Sequence, residues 1–434
     1  MLLKRFQLGL IHAAVAMTLV PINSTLNRVM IFDLEISKTL VSLLAVFPYL
    51  LSPIQVAIGS FSDRHPIFGY RRTPYILAGL ILCVAGVMAS PHIAFLIHEN
   101  FGVGVLAGLL GFGAWGMGYN LSAVSYLSLA SELSGEKGRG KTVATMFFMM
   151  ILALIGTGIG LSRMVSTYTP ETLIFAINFV AVLALILGLL GLIKLEPRAE
   201  AVAPPRAETY TVREMAGTVA ANPVARVFFI YLLLLLAAIL GQDILLEPFG
   251  AEAFGMSVEA TSRIVSISGV FTLIAFLVAG GLEGRLPKRV IAQAGNLGAL
   301  AGFVCIFISG ILPSLALFYF GITLLGFGIG ISTVANLSLM FDLTVPGKVG
   351  LYIGAWGFSN GLSRLTGLLL AGVVADAVTH GTGRALSGYL VVFGMEALML
   401  LGAVLLLSRI DVSAFRLKAQ EPSFVDKVAV AAES

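Results

Sequence analysis

The chain has 434 residues, 58% of them hydrophobic and only 12% charged, with a mean hydropathy of +0.98. That composition excludes a disordered chain and an ordinary soluble domain. A net charge of +4, spread over this length, gives no face for nucleic acid.

A helix needs about 20 apolar residues to cross about 30 Å of hydrocarbon. The apolar runs predict about twelve such spans, at 6–32, 38–60, 74–97, 102–131, 142–165, 170–194, 224–247, 260–282, 289–312, 314–341, 350–375 and 385–408. The first run is too long for a secretory signal, and no small-residue cleavage site follows it. Arg28, Lys38, Arg163, Arg263 and Arg384 occupy one set of alternate gaps, and Arg364 lies inside a span. The other 21 of the 27 Lys and Arg residues occupy the opposite set. Cationic residues are retained on the cytoplasmic side. The expectation is an all-α, multi-pass integral membrane protein with both termini cytoplasmic. Cys83 and Cys305 lie inside spans, so they are read as core residues and not as a disulfide or a metal site.

The longest polar stretch, 196–223, contains Pro197, Pro204 and Pro205. It divides the chain into a six-helix half at 1–195 and another at 224–408, with a cytoplasmic tail at 409–434. Within it Thr211 and Glu214 have capping-box spacing, and Val212, Met215, Ala216 and Val219 recur at helical spacing. This predicts a short interfacial helix stopped by Pro223. The halves carry similar text. Leu109-Leu110-Gly111-Phe112-Gly113 recurs as Leu324-Leu325-Gly326-Phe327-Gly328, and Asn120-Leu121-Ser122 as Asn336-Leu337-Ser338. Duplicated six-helix halves point to the major facilitator architecture, in which a site lies between the halves near the midplane.

The loop after the second span strengthens this reading. Gly59, Asp63 and Arg64, followed by Gly69, Arg71 and Arg72, resemble the facilitator signature G-x-x-x-D-R/K-x-G-R-R/K, interrupted by His65-Pro66-Ile67. The resemblance implies a conformational latch, in which Asp63 faces the positive end of the eleventh span near Gly350. Ordinary cytoplasmic charge is the alternative.

Charges inside spans are costly and are functional or paired. They are Arg28, Glu132, Asp243, Glu247, Arg364, Asp376 and Glu396, with Asn23, Asn27 and Asn360 flanking the two arginines. Glu132, Glu247 and Asp376 sit near span ends, where water can solvate them. Asp243 and Glu247 share one helical face ahead of Pro248, the arrangement of a carboxylate pair able to titrate. Internal ion pairing and a substrate or switching role both fit these residues. No nucleotide-binding loop, zinc pattern or nucleophile elbow is present, and an enzyme is not expected.

Three stretches go beyond the superfamily: Leu8 through Ile31, Ser52-Pro53-Ile54-Gln55 through Tyr75, and Gln242-Asp243 through Ser257. Together they resemble the bacteriochlorophyll delivery (PucC/LhaA) family of facilitator-like proteins over essentially all twelve spans. The short start is most similar to the branch associated with pigment-synthesis genes. The resemblance implies a factor of the bacterial cytoplasmic or photosynthetic membrane that binds (bacterio)chlorophyll and delivers it to antenna or reaction-centre subunits. Its rivals are a secondary transporter of a small solute or pigment precursor, and a scaffold for a pigment-synthesis enzyme. A chlorophyll needs an apolar groove and one axial ligand for its magnesium. His12 is the one histidine deep in an apolar span, so it is either that ligand or a core residue, with Asn23 and Asn120 as other candidates. Phe147, Phe148, Trp115, Tyr119 and Trp356 could stack on a macrocycle or simply fill the core.

Overall fold

The computed structural model describes residues 2–51, 54, 58, 61, 62, 65–198, 212–282, 284–344, 349–411 and 415. Among these the only extended pairing is a single bridge between Ile67 and Tyr70. Eleven helices are long and apolar enough to cross a membrane. The chain runs through α1 (Leu2–Asp33), α2 (Lys38–Ala45), α3 (Thr73–Glu99), α4 (Phe101–Ser134), α5 (Lys141–Met164), α6 (Pro170–Leu192) and the short α7 (Val212–Ala221). It continues through α8 (Pro223–Ile244), α9 (Leu246–Phe254), α10 (Val258–Leu282), α11 (Lys288–Ile311), α12 (Leu315–Asp342), α13 (Val349–Thr382) and α14 (Ala385–Leu407). The expected span at 38–60 is helical over α2 and the turn Phe47–Leu50. The rest of it is only partly described, and eleven spans are therefore found among the described residues where twelve are expected.

Local chemistry sets the boundaries. Ser37, Asn100, Thr169 and Ser314 each accept a backbone N–H of the helix they precede. Asn222 accepts from Val224 and Ala225, and Pro223 opens α8 at a position that needs no donor. This ends the short helix α7 where Pro223 predicts; Thr211, its expected cap, lies outside the described residues. Between α4 and α5 the backbone is helical throughout, yet Ser134 Oγ donates to Thr142 Oγ1 at 2.7 Å. Eight residues of straight helix would rise about 12 Å. The chain therefore bends back between Ser134 and Thr142. The last third of α1 is π-helical, over Ile22–Leu26 and Val29–Asp33, which loosens the backbone beside Asn23, Asn27 and Arg28.

Two faces result. The proximal face carries the start of α1 and the connections around 65–72, 193–198 and 284–287. The distal face carries 34–37, 165–169, 255–257 and 383–384. Large apolar side chains such as Leu110, Leu277 and Leu398 stay exposed around the bundle, as a surface bathed in lipid requires. In the first half α1 packs on α4, α5 and α6, and α3 packs on α4 and α6. In the second half α8 packs on α13 and α14, and α11 on α12 and α14.

The duplication is present, but not in the register that the repeated text suggests. A Cβ at Gly79 of α3 would lie 2.6 Å from Ser122 N and 2.7 Å from Gly118 O; one at Gly295 of α11 would lie 2.5 Å from Ser332 N and 3.0 Å from Gly328 O. Gly118 therefore corresponds to Gly328, and Ser122 to Ser332. The text match instead pairs Gly113 with Gly328 and Asn120 with Asn336. Close backbone approach at small residues fixes the register of α3 on α4 and of α11 on α12. Leu/Gly-rich text recurs on adjacent turns without marking equivalent places.

Candidate functional site

His12 lies on the proximal half of α1, 7% exposed. Its ring meets Tyr126 of α4 at 5.3 Å between centroids and Phe147 of α5, edge-on, at 5.1 Å. Its Nδ1 is buried without a hydrogen-bond partner among the described residues. A neutral imidazole offers one nitrogen lone pair, and leaving a buried polar atom unpaired costs about 1–3 kcal/mol. One turn towards the N-terminus, the Met149 thioether packs on Gly9. Phe147 and Phe148 are themselves partly exposed. The result is an apolar, aromatic surround holding one uncommitted nitrogen. The other ligand candidates are not brought to it. Asn23 is eleven residues along α1, about 16 Å away. Asn120 is fully buried and donates its amide to Gly116 O at 2.8 Å, inside the α3–α4 packing. Trp115 and Trp356 are core residues, each fully buried in its own half.

A second cluster lies at the seam between the halves. Arg364 of α13 donates to Tyr49 Oη at 2.8 Å and stacks 4.8 Å above its ring. Asp243 and Tyr119 lie within its electrostatic reach. Gln242 Nε2 donates to Asp243 Oδ1 at 2.6 Å where α8 tightens into a 3₁₀ turn. Asn360 stands one turn before Arg364, half-buried. Glu247 is buried and not solvated as its place near a span end suggests, and Arg28 lies within its electrostatic reach. Arg28 itself pairs with Asp33, donates to Met256 O at 3.3 Å and lies over the Phe32 ring. Asn27 beside it is buried, its amide nitrogen without a partner among the described residues. Tyr168, in the distal connection after α5, faces this pair; burial and then the Asp33 carboxylate push its phenol up to about 12. Glu396 of α14 is 1% exposed, both its oxygens lack a partner among the described residues, and it lies against Gly241. Its position in mid-span is the signal that marks it.

The distal face holds the halves together. Asp376 of α13 accepts the backbone N–H groups of Lys38 (3.1 Å) and Thr39 (2.7 Å) and the Thr39 hydroxyl (2.6 Å). A carboxylate from one half thus caps the first helical turn of α2 in the other. The buried Lys38 ammonium sits 3.8 Å from the same carboxylate and over the Tyr389 ring. Asp376 is therefore an inter-half tie and not the solvated group that its place near a span end suggests. Thr25 and Ser262 share a 2.9 Å hydrogen bond, Ser162 donates to Glu259 O, and Ser266 donates to Ile155 O. A side chain at Gly372 would collide with Ser42, and one at Gly158 with Ser266, so these seams close only with glycine there.

On the proximal face Gly59, Asp63, Arg64 and residues 345–348 lie outside the described residues. The described part of the signature, Gly69, Arg71 and Arg72, lies in the first half. Ile67 and Tyr70 exchange hydrogen bonds at 3.0 Å around a tight turn, with Phe68 and Gly69 both at positive φ (53° and 80°). The insertion in the signature thus forms this turn, and glycine suits the left-handed position at 69. Glu196 accepts the N–H groups of Arg71, Arg72 and Thr73 and caps α3. Arg72 donates to Glu132 (2.9 Å) and to Ser62 (2.7 Å).

The profile of the "PUCC protein" family matches residues 25–415. The chain belongs to this family. It is 30% identical over 418 residues to Protein PucC of Rhodobacter capsulatus, covering 92% of this chain and 90% of that one. It is also 27% identical to a protein of the same organism named "Bacteriochlorophyll synthase 44.5 kDa chain", covering 93% and 94%. Among solved structures, a bacterial homologue of the iron transporter ferroportin in an inward-facing state has a TM-score of 0.71 at 13% identity, over 94% of this chain and 97% of that one. The nucleoside transporter NupG has a TM-score of 0.67 at 12% identity, over 94% and 98%. The fold of this PucC-family chain is that of the major facilitator transporters.

Proposed function

We propose that this protein is a non-enzymatic assembly factor that binds (bacterio)chlorophyll in the membrane and hands it to antenna or reaction-centre subunits. The observation that carries this is the Nδ1 of His12, without a partner among the described residues, between the Tyr126 and Phe147 rings in a chain of the PucC family. The surroundings fit an axial ligand. The nitrogen is uncommitted, and the walls are aromatic and thioether groups suited to a macrocycle. The magnesium of the pigment would supply the Lewis acid that His12 satisfies. His12 would hold the pigment, Tyr126 would orient the imidazole, and Phe147 would shield it from the bilayer. Asn23 and Asn120 are the weaker candidates. With the cationic connections inside, the proximal face is cytoplasmic, and 1–195 and 224–408 act as two bodies joined by 196–223. The test is transfer. Pigment-loaded protein mixed in vesicles with pigment-free antenna subunits is expected to give the antenna absorption band, which free pigment at equal concentration does not. Equal yield without the protein would refute delivery.

A second reading, transport by alternating access, draws on the separable distal tie and on the charges at Asp243 and Arg364. Asp376→Ala removes the cap of α2 and leaves the buried Lys38 without its partner. It is expected to separate spin labels at Ser166 and His380, since removing one member of a buried charged pair costs about 3–5 kcal/mol. Unchanged distances would mean the tie is not a gate.

A further inference from the structure

On the distal part of the bundle, α5 and α10 leave between them an open groove of about 460 Å³. One helix comes from each half. The mouth carries Arg163, one residue before the end of α5, and Arg263, five residues into α10. Below them run Ile159, Ile267, Val270 and Phe271. On α10 these lie four to eight residues deeper than Arg263, which is about 6–12 Å along the helix axis. Cation above and hydrocarbon below is the profile of a phospholipid standing at the membrane interface. The two serines of the groove and Arg263 are already engaged. Ser162 donates to Glu259 O and accepts from Arg263 Nε, and Ser266 donates to Ile155 O. Arg263 also pairs with Glu259. Arg163 is exposed, and no carboxylate pairs with it among the described residues. Two guanidinium groups against one carboxylate leave one positive charge at the mouth. That charge complements a single phosphodiester. A zwitterionic headgroup brings its own ammonium and gains less. The volume is at the small end for ligand pockets and suits one acyl chain better than a macrocycle.

We propose that this groove binds one anionic phospholipid of the distal leaflet, its phosphate between Arg163 and Arg263 and one acyl chain along Ile159, Ile267, Val270 and Phe271. The bound lipid spans both halves at the seam that also carries the Ser162–Glu259 and Ser266–Ile155 bonds. This is a site apart from His12, which lies at the other face.

The test is native mass spectrometry of the full chain in mild detergent, with dioleoyl phosphatidylglycerol and dioleoyl phosphatidylcholine offered in equal amounts. The wild type is expected to retain the phosphatidylglycerol adduct in preference. Arg163→Gln is expected to lower its occupancy about fivefold, the effect of one interfacial cation, with the phosphatidylcholine adduct unchanged and the melting temperature unaltered. Arg163→Lys is expected to keep the preference. Val270→Trp, which fills the groove and leaves both arginines in place, is expected to lower occupancy by both lipids. Equal retention of the two lipids by the wild type would overturn the proposal. So would phosphatidylglycerol occupancy that is unchanged in both Arg163→Gln and Val270→Trp.

Discussion

His12 and Tyr231 occupy equivalent places in the two halves, and the fold treats them differently. With Ser122 equivalent to Ser332, the residue four further on is Tyr126 in α4 and Asn336 in α12. Tyr126 faces His12 on α1; Asn336 faces Tyr231 on α8, the first helix of the second half. In the second half every partner is met. Tyr231 donates to Asn336 Oδ1 at 2.6 Å, Asn296 donates to Tyr231 Oη at 3.0 Å, Ser332 donates to Asn296 Oδ1 at 2.6 Å, and Asn336 donates back to Ser332 O at 2.8 Å. In the first half an aromatic pair encloses a ring nitrogen that nothing among the described residues satisfies. The same scaffold position is a closed polar network in one half and a ring nitrogen without a partner among the described residues in the other. Duplicated halves lend each other a reference state, and departure from it marks function more sharply than burial or charge alone.

That contrast can be broken from either side. The largest effect is expected from Asn336→Leu, which strips the network of three hydrogen bonds. Bonds within bilayers average about 0.6 kcal/mol, and the orphaned hydroxyl and amide add to the loss, so about 2–3 kcal/mol of unfolding free energy should disappear. Unfolding in sodium dodecyl sulfate measures it, and pigment content should not change. Tyr231→Phe keeps the ring and removes one hydroxyl; about 1 kcal/mol is expected in the same assay. His12→Leu should be the smallest, within about 0.5 kcal/mol of wild type or slightly more stable, because it removes an unpaired buried nitrogen. A loss as large as that of Asn336→Leu would make His12 a structural residue and erase the contrast.

The sequence makes the spans legible because hydrocarbon imposes one length and one polarity on each. The helix from Val212 to Ala221 and its stop at Pro223 are equally plain, since capping and proline act locally. His12 stands out as a lone imidazole in an apolar run. What surrounds it does not, because Tyr126 and Phe147 are brought to it only by the packing of α4 and α5. Asp376 and Glu196 are misjudged or missed for the same reason. Each caps a helix more than a hundred residues away, and nothing near Asp376 in the chain names Lys38 as its partner. The repeat misleads in detail, since glycine–backbone contacts, not recurring words, set which residues correspond.

The most direct test of the account is the absorption spectrum of the gently purified protein, with extracted pigment counted against protein. Wild-type protein is expected to carry a magnesium tetrapyrrole near one per chain. His12→Leu should lose most of it or shift its red band at unchanged expression and stability, and His12→Asn, which retains a lone pair, should lose less. A normal pigment complement and spectrum in both variants would contradict the assignment of His12, and absence of pigment from the wild type would contradict the proposed function itself.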